Sequence, residues 1–125
     1  MAKVSKQSAS KVADFGVAED RSDDVEGYTI NFVSIRETHD LAPMLKSLPG
    51  GKCSCPHWGY LLKGRMTVRY AEHEEVIEAG DAFYMPPGHA PEAQAGSEFI
   101  LFSPAAELAA TEAAIMKGMK AAHPG

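Results

Sequence analysis

From His57 to Phe102 the chain meets a turn signal roughly every ten residues, a spacing that leaves no room for an ordinary helix and suits an all-β sandwich or barrel. The runs between the turns are short and β-prone: His57–Leu62, Met66–Ala71, Glu74–Glu78, Ala82–Met85 and Glu98–Phe102. Lys63-Gly64, the loop at 71–73, Ala79-Gly80-Asp81 and Pro86-Pro87-Gly88 punctuate them, the last because proline cannot donate to a ladder. Upstream, Gly27–Ile35 alternates Tyr28, Ile30 and Phe32 against Thr29 and Asn31 and is predicted as another strand.

The flanks read differently. Residues 1–24 are polar and poor in large apolar groups, too poor to offset their ordering entropy, and are predicted as a flexible arm. Leu41, Leu45 and Leu48, with Asp40 as a cap and Pro43 in the first turn, suggest a short helix over 38–48. After Pro104 the alanine-rich run predicts a C-terminal helix, with Leu108, Ile115, Met116 and Met119 as its apolar stripe and His123–Gly125 as a tail. The organisation expected is an arm (1–24), a barrel (25–104), and a helix with tail (105–125).

At 125 residues the chain holds one domain with a core of its own. A net charge of −5 with no basic block argues against nucleic acid as a partner, and no apolar run is long enough to span a bilayer. The start has no apolar segment of the secretory kind, so a cytoplasmic location is expected. The two cysteines stand as Cys53-Ser-Cys55, which is no disulfide scaffold. In a reducing compartment the pair binds metal, is redox-active or is simply buried. The run His57–Leu62 is apolar at Trp58, Tyr60 and Leu62 and also at Gly59 and Leu61. Both faces of that strand are therefore expected to be covered, and a homodimer is predicted.

The segments Gly51–Gly64 and Gly80–Pro91 resemble the two motifs of the cupin superfamily, over residues 50–103. Gly80, Pro86 and Gly88 match the spacing of the second motif, with Pro91 at its histidine position, Ala95 at its asparagine position, and His89 two residues before Pro91. In the first motif Gly64 fits the final glycine and His57 the glutamate. The histidine positions fall at Gly51 and Cys53, or at Gly50 and Lys52. The resemblance implies an all-β fold, the double-stranded β-helix or jelly-roll barrel, here with a C-terminal α-helix.

Residues two apart on a strand face one side, so Cys53, Cys55 and His57 point together if their segment is extended. The resemblance makes that side the barrel interior, with His89 approaching from a neighbouring strand. Cysteine and histidine suit a borderline divalent metal, with zinc or iron expected. Trp58, Tyr60, Phe83, Tyr84, Met85 and Phe99 are candidates to line a substrate cavity. His39, His73 and His123 are left without a role. Three readings stay open: a metal-binding cupin acting as an oxygenase, lyase or isomerase on a small organic molecule; a non-enzymatic ligand-binding or sensor cupin; and a thiol redox module built on Cys53 and Cys55.

Overall fold

The computed structural model describes residues 3–122, with side chains as far as Gly118. Among the described residues ten strands form two sheets. The strands are β1 (Lys11–Asp14), β2 (Ala18–Val25), β3 (Tyr28–Ile35), β4 (His39–Asp40), β5 (His57–Lys63), β6 (Arg65–Arg69), β7 (Glu74–Glu78), β8 (Ala82–Met85), β9 (Ala90–Ala93) and β10 (Glu98–Pro104), followed by helix α1 (Ala105–Ala122). The larger sheet runs β1-β2-β3-β10-β5-β8 and the smaller β4-β9-β6-β7, with every pairing antiparallel.

The two sheets close on Leu61, Met66, Val68, Ile77, Phe83, Met85, Ala93 and Phe99, with Ala18 and Ile35 at one margin. Each fully buried Leu, Val or Met side chain contributes about 1.5–3 kcal/mol. Gly59 sits on the inward face of β5, where a Cβ would strike the Phe83 ring and lie 2.8 Å from the Ile100 carbonyl oxygen. A second, smaller core joins Leu45, Leu48, Cys53, Cys55 and Ala90 to Leu41, Leu108 and Ile115, and so seats α1 across one end of the barrel.

The inner face of the large sheet changes character along its strands. Towards the small sheet it is apolar, at Val33, Phe99 and Leu61. Beneath α1 it becomes polar, at Thr29, Asn31, His57 and Ser103, all buried.

Three expectations are corrected. The stretch predicted as an arm contains β1 and β2, and β2 pairs with β3 along its whole length. The sequence A-E-D-R-S-D-D-V hides this strand because polar pairs hold its side chains: Asn31 donates to Asp20 at 3.0 Å, Thr29 to Asp24 at 2.7 Å, and Arg21 to Glu19 at 2.8 Å. Glu26 and Gly27, both at positive φ, make the two-residue turn that joins β2 to β3. The helix expected over 38–48 is instead β4 and a 3-10 turn, Ala42–Leu45, with a second 3-10 turn, Pro49–Gly51, just beyond it. In α1, Leu108 and Ile115 pack inward while Met116 is exposed, so the apolar stripe is narrower than predicted. The side chain of Met119 and the tail 123–125 lie outside the described residues. Among the described residues no helix is long and apolar enough to cross a membrane.

Candidate metal centre

Pro56 separates two conformations of backbone. Before it, Cys53 forms an isolated antiparallel bridge with His89: the Cys53 N–H donates to the His89 carbonyl at 2.9 Å, and the Gly88 N–H to the Cys53 carbonyl at 2.8 Å. After it, β5 begins at His57, opposite Met85. The Pro86-Pro87-Gly88 turn thus delivers His89 beside Cys53, and the first inward position of β5 delivers His57.

Cys53, His57 and His89 each offer one ligand atom, and those atoms all lie within 4.8 Å of one another. The Cys53 Sγ and His57 Nε2 are 4.0 Å apart, and the two imidazole rings have centroids 4.9 Å apart at 59°. Around a tetrahedral zinc, with Zn–S of ~2.3 Å and Zn–N of ~2.0–2.1 Å, sulfur and nitrogen sit about 3.5 Å apart. The observed pair needs only a small inward adjustment to reach that spacing.

Both rings are already oriented. His89 Nδ1 lies 2.7 Å from the Pro86 carbonyl oxygen, which can only accept, so Nδ1 carries the proton and the Nε2 lone pair is left for a ligand. His57 Nδ1 lies 2.6 Å from the hydroxyl of Ser103, a fully buried residue, while its Nε2 faces Cys53. A histidine held through one nitrogen and presenting the other is the arrangement of metal-ligating imidazoles.

The electrostatics favour neutral groups. Burial, and then the neighbouring His89, bring His57 down to about 4. Burial also lowers His89, against the opposing pull of the Pro86 carbonyl. The Cys53 thiol is raised by burial, which the Cys55 backbone N–H partly offsets. At neutral pH the imidazoles are therefore unprotonated, and metal binding would release a proton from Cys53. The donor set fits a borderline divalent metal.

Cys55 stands apart from this set. Its bend before Pro56 breaks the two-residue parity, and the side chain packs against the second core, its Sγ 3.6 Å from the Pro56 carbonyl. Burial first, then the nearby charges of Cys53, Glu107 and Glu112, push its thiol up to about 12. A buried thiol so raised is inert, which argues against a reactive dithiol.

The proposed cavity lining does not come together either. Phe83, Met85 and Phe99 are core residues, whereas Trp58, Tyr60 and Tyr84 alternate to the outer face of the large sheet and are exposed. The three candidate ligands are closed off, at 7% (Cys53), 8% (His57) and 1% (His89) exposure. A groove of about 240 Å³ lies on the polar inner face under α1, lined among others by Asp20, Asp24, Thr29, Ala109 and Glu112. Thr29 pairs with Ser103 across β3 and β10, so the groove begins one strand from the residue that holds His57. Burial raises the Asp20 and Glu112 carboxyls. Ser103 and this groove escaped the sequence reading; a small polar residue on the inward parity of β10 was the available signal.

No protein-family model and no curated protein sequence matches the chain. Solved structures do. A protein of unknown function from Rhizobium leguminosarum superposes with a TM-score of 0.61 at 19% identity, over 82% of this chain and 95% of that one. The polyketide cyclase RemF from Streptomyces resistomycificus gives 0.59 at 14% identity, over 83% and 79%. An RmlC-like cupin from Shewanella frigidimarina gives 0.52 at 17% identity, over 75% and 83%. The chain has the cupin fold.

Proposed function

We propose that this cupin holds a divalent transition metal, zinc or iron, on Cys53, His57 and His89, and acts on a small organic molecule taken up on the polar inner face of its large sheet. One observation carries the reading: three buried ligand side chains from separate segments converge, and each histidine has its Nδ1 already engaged so that Nε2 is presented. When bound there, the ion supplies Lewis-acid polarisation of a substrate or water oxygen. Ser103 and the Pro86 carbonyl fix the two rings, and the core around Leu45, Leu48 and Leu108 excludes water. The groove with Asp20, Asp24 and Thr29 offers hydrogen-bond acceptors to a ligand on the same inner face of the large sheet. A polyketide cyclase among the proteins of like fold supports a small organic substrate for such a barrel.

Burial of all three ligands favours a second reading, a ligand-binding or sensor cupin in which the metal is structural. Elemental analysis of untagged protein, purified without chelator or added metal, tests the first claim. About one zinc or iron per chain, lost in His57→Ala and in Cys53→Ala, is the result expected. Metal content unchanged in both variants would refute it. Cobalt-loaded protein separates the two readings: a spectrum altered by azide indicates an open coordination position and supports catalysis, while an unaltered spectrum supports the structural role.

A further inference from the structure

Cys53, His57 and His89 are enclosed by two kinds of wall. On the barrel side Leu61, Phe83 and Met85 fill the interior, with Met85 paired directly to His57 across β5 and β8. On the other side the cover is α1, which also forms one wall of the groove through Ala105, Ala109 and Glu112. A close-packed sheet interior opens only when the barrel does, whereas a helix laid across one end can lift by itself.

The attachment of α1 is narrow. β10 ends at Pro104, still paired with Tyr28, and the helix starts at Ala105, whose N–H donates to the Gly27 carbonyl at 3.0 Å. Beyond that point the residues turned to the barrel are Leu108, Thr111, Ile115 and Gly118, which share one face of the helix. Leu108 and Ile115 pack against the cluster of Leu45, Leu48, Cys53 and Cys55 but are themselves only half-buried. Gly118 fits so closely against Ser47 that a Cβ there would overlap the serine side chain. The exposed positions between them are mostly alanine, which favours helix and packs on little. Good helix propensity with few contacts makes α1 a lightly seated cover.

We propose that α1 is a lid. It hinges between Pro104 and Ala105, lifts Leu108 and Ile115 off the second core, and so opens Cys53 and Cys55 to solvent together with the groove. Gly118 is the latch, since only a residue without a Cβ lets the far end of the helix close onto Ser47. The lid stands on packing alone, and its role in metal loading rests on the metal reading above.

Cys55 reports the lid directly, because it is 1% exposed and packed in the core that α1 covers. In the metal-free full chain carrying Cys53→Ala it is the single thiol. Its rate of reaction with an aromatic disulfide reagent, divided by the rate in the urea-unfolded chain, gives the fraction open. That fraction is expected to exceed the globally unfolded fraction, taken from urea unfolding, by about a hundredfold or more, and to change little at low urea. Gly118→Ala, added to that chain, has a sign that separates a lid from a fixed helix. Helix propensity alone would slow the labelling about fivefold. Overlap with Ser47 lifts the lid, so labelling should instead be about tenfold faster, and a further Ser47→Gly should bring it back. Labelling of Cys55 only at the globally unfolded fraction overturns the proposal, as does slower labelling in folded Gly118→Ala. Should Gly118→Ala fail to fold, the comparison in Cys53→Ala decides alone. Zinc uptake by the Cys55→Ala chain is a separate arm. Uptake accelerated by Gly118→Ala to the same degree supports loading through the lid, whereas labelling as expected with no zinc taken up keeps the lid and refutes the metal reading.

Discussion

Ser103→Ala removes one oxygen from a fully buried position and leaves His57 Nδ1 without the hydroxyl that lies 2.6 Å away. Two consequences follow, and they differ in origin. In the metal-free protein a buried polar atom loses its partner, at a cost of about 1–3 kcal/mol in stability. In the metal-bound protein the ring loses the contact that fixes its rotation, so affinity is expected to fall about 10–100-fold. A matched control separates the two effects. Ser97 is equally buried, and its hydroxyl bonds to the Arg65 backbone at 3.1 Å, remote from the ligands. Ser97→Ala should therefore lose stability but keep metal affinity. Competition titration of zinc against a chromophoric chelator measures the affinity, and urea unfolding of the metal-free proteins measures the stability. If Ser103→Ala matches Ser97→Ala in both, His57 does not ligate through the nitrogen opposite its serine contact, and the reasoning fails.

Burial lowers His57 from 6.5 to about 4, so the unfolded chain binds a proton there between those values and the folded chain does not. Metal-free stability should accordingly be complete above about pH 6.5 and fall by about 3 kcal/mol as the pH drops to about 4. Urea midpoints checked against His57→Leu, which should flatten this window, provide the measurement. Gly59→Ala forces a methyl group against the Phe83 ring and the Ile100 carbonyl and should cost about 2 kcal/mol, read as a Tm lower by roughly 5–10 °C. Cys55→Ala should keep the metal content of the wild type while Cys53→Ala loses it, because only Cys53 faces the two histidines. Equal losses by elemental analysis would place both thiols in the set.

The barrel was legible because its strands are written twice, once in the turn residues and once in the β-branched and aromatic runs between them. β5, β7 and β8 start where the sequence places them, and β10 begins at Glu98 as expected. β2 was not legible, since its inward positions Asp20, Ser22 and Asp24 face a polar groove and leave no apolar alternation. β9 was missed for a related reason: A-P-E-A has low strand propensity and is held by pairing to β6 on one side and to the two residues of β4 on the other. At the site, residue type and strand parity together with the cupin resemblance point to Cys53, His57 and His89, and the structure brings those three together. Cys55 was grouped with them by a parity argument that requires extended backbone, which the bend before Pro56 does not provide. Trp58, Tyr60 and Tyr84 were read as cavity residues because aromatic character alone does not tell an inward from an outward position. Strand register does, and it turns them to the outer face.

The account rests on one ion held by one thiolate and two imidazoles. X-ray absorption at the edge of the bound metal tests that set most directly. The account predicts a first shell with one sulfur, at about 2.3 Å for zinc, and two histidine nitrogens, at about 2.0–2.1 Å. It further predicts that the sulfur scatterer disappears in Cys53→Ala and remains in Cys55→Ala. A shell of oxygen and nitrogen alone, or one with two sulfurs, would contradict it.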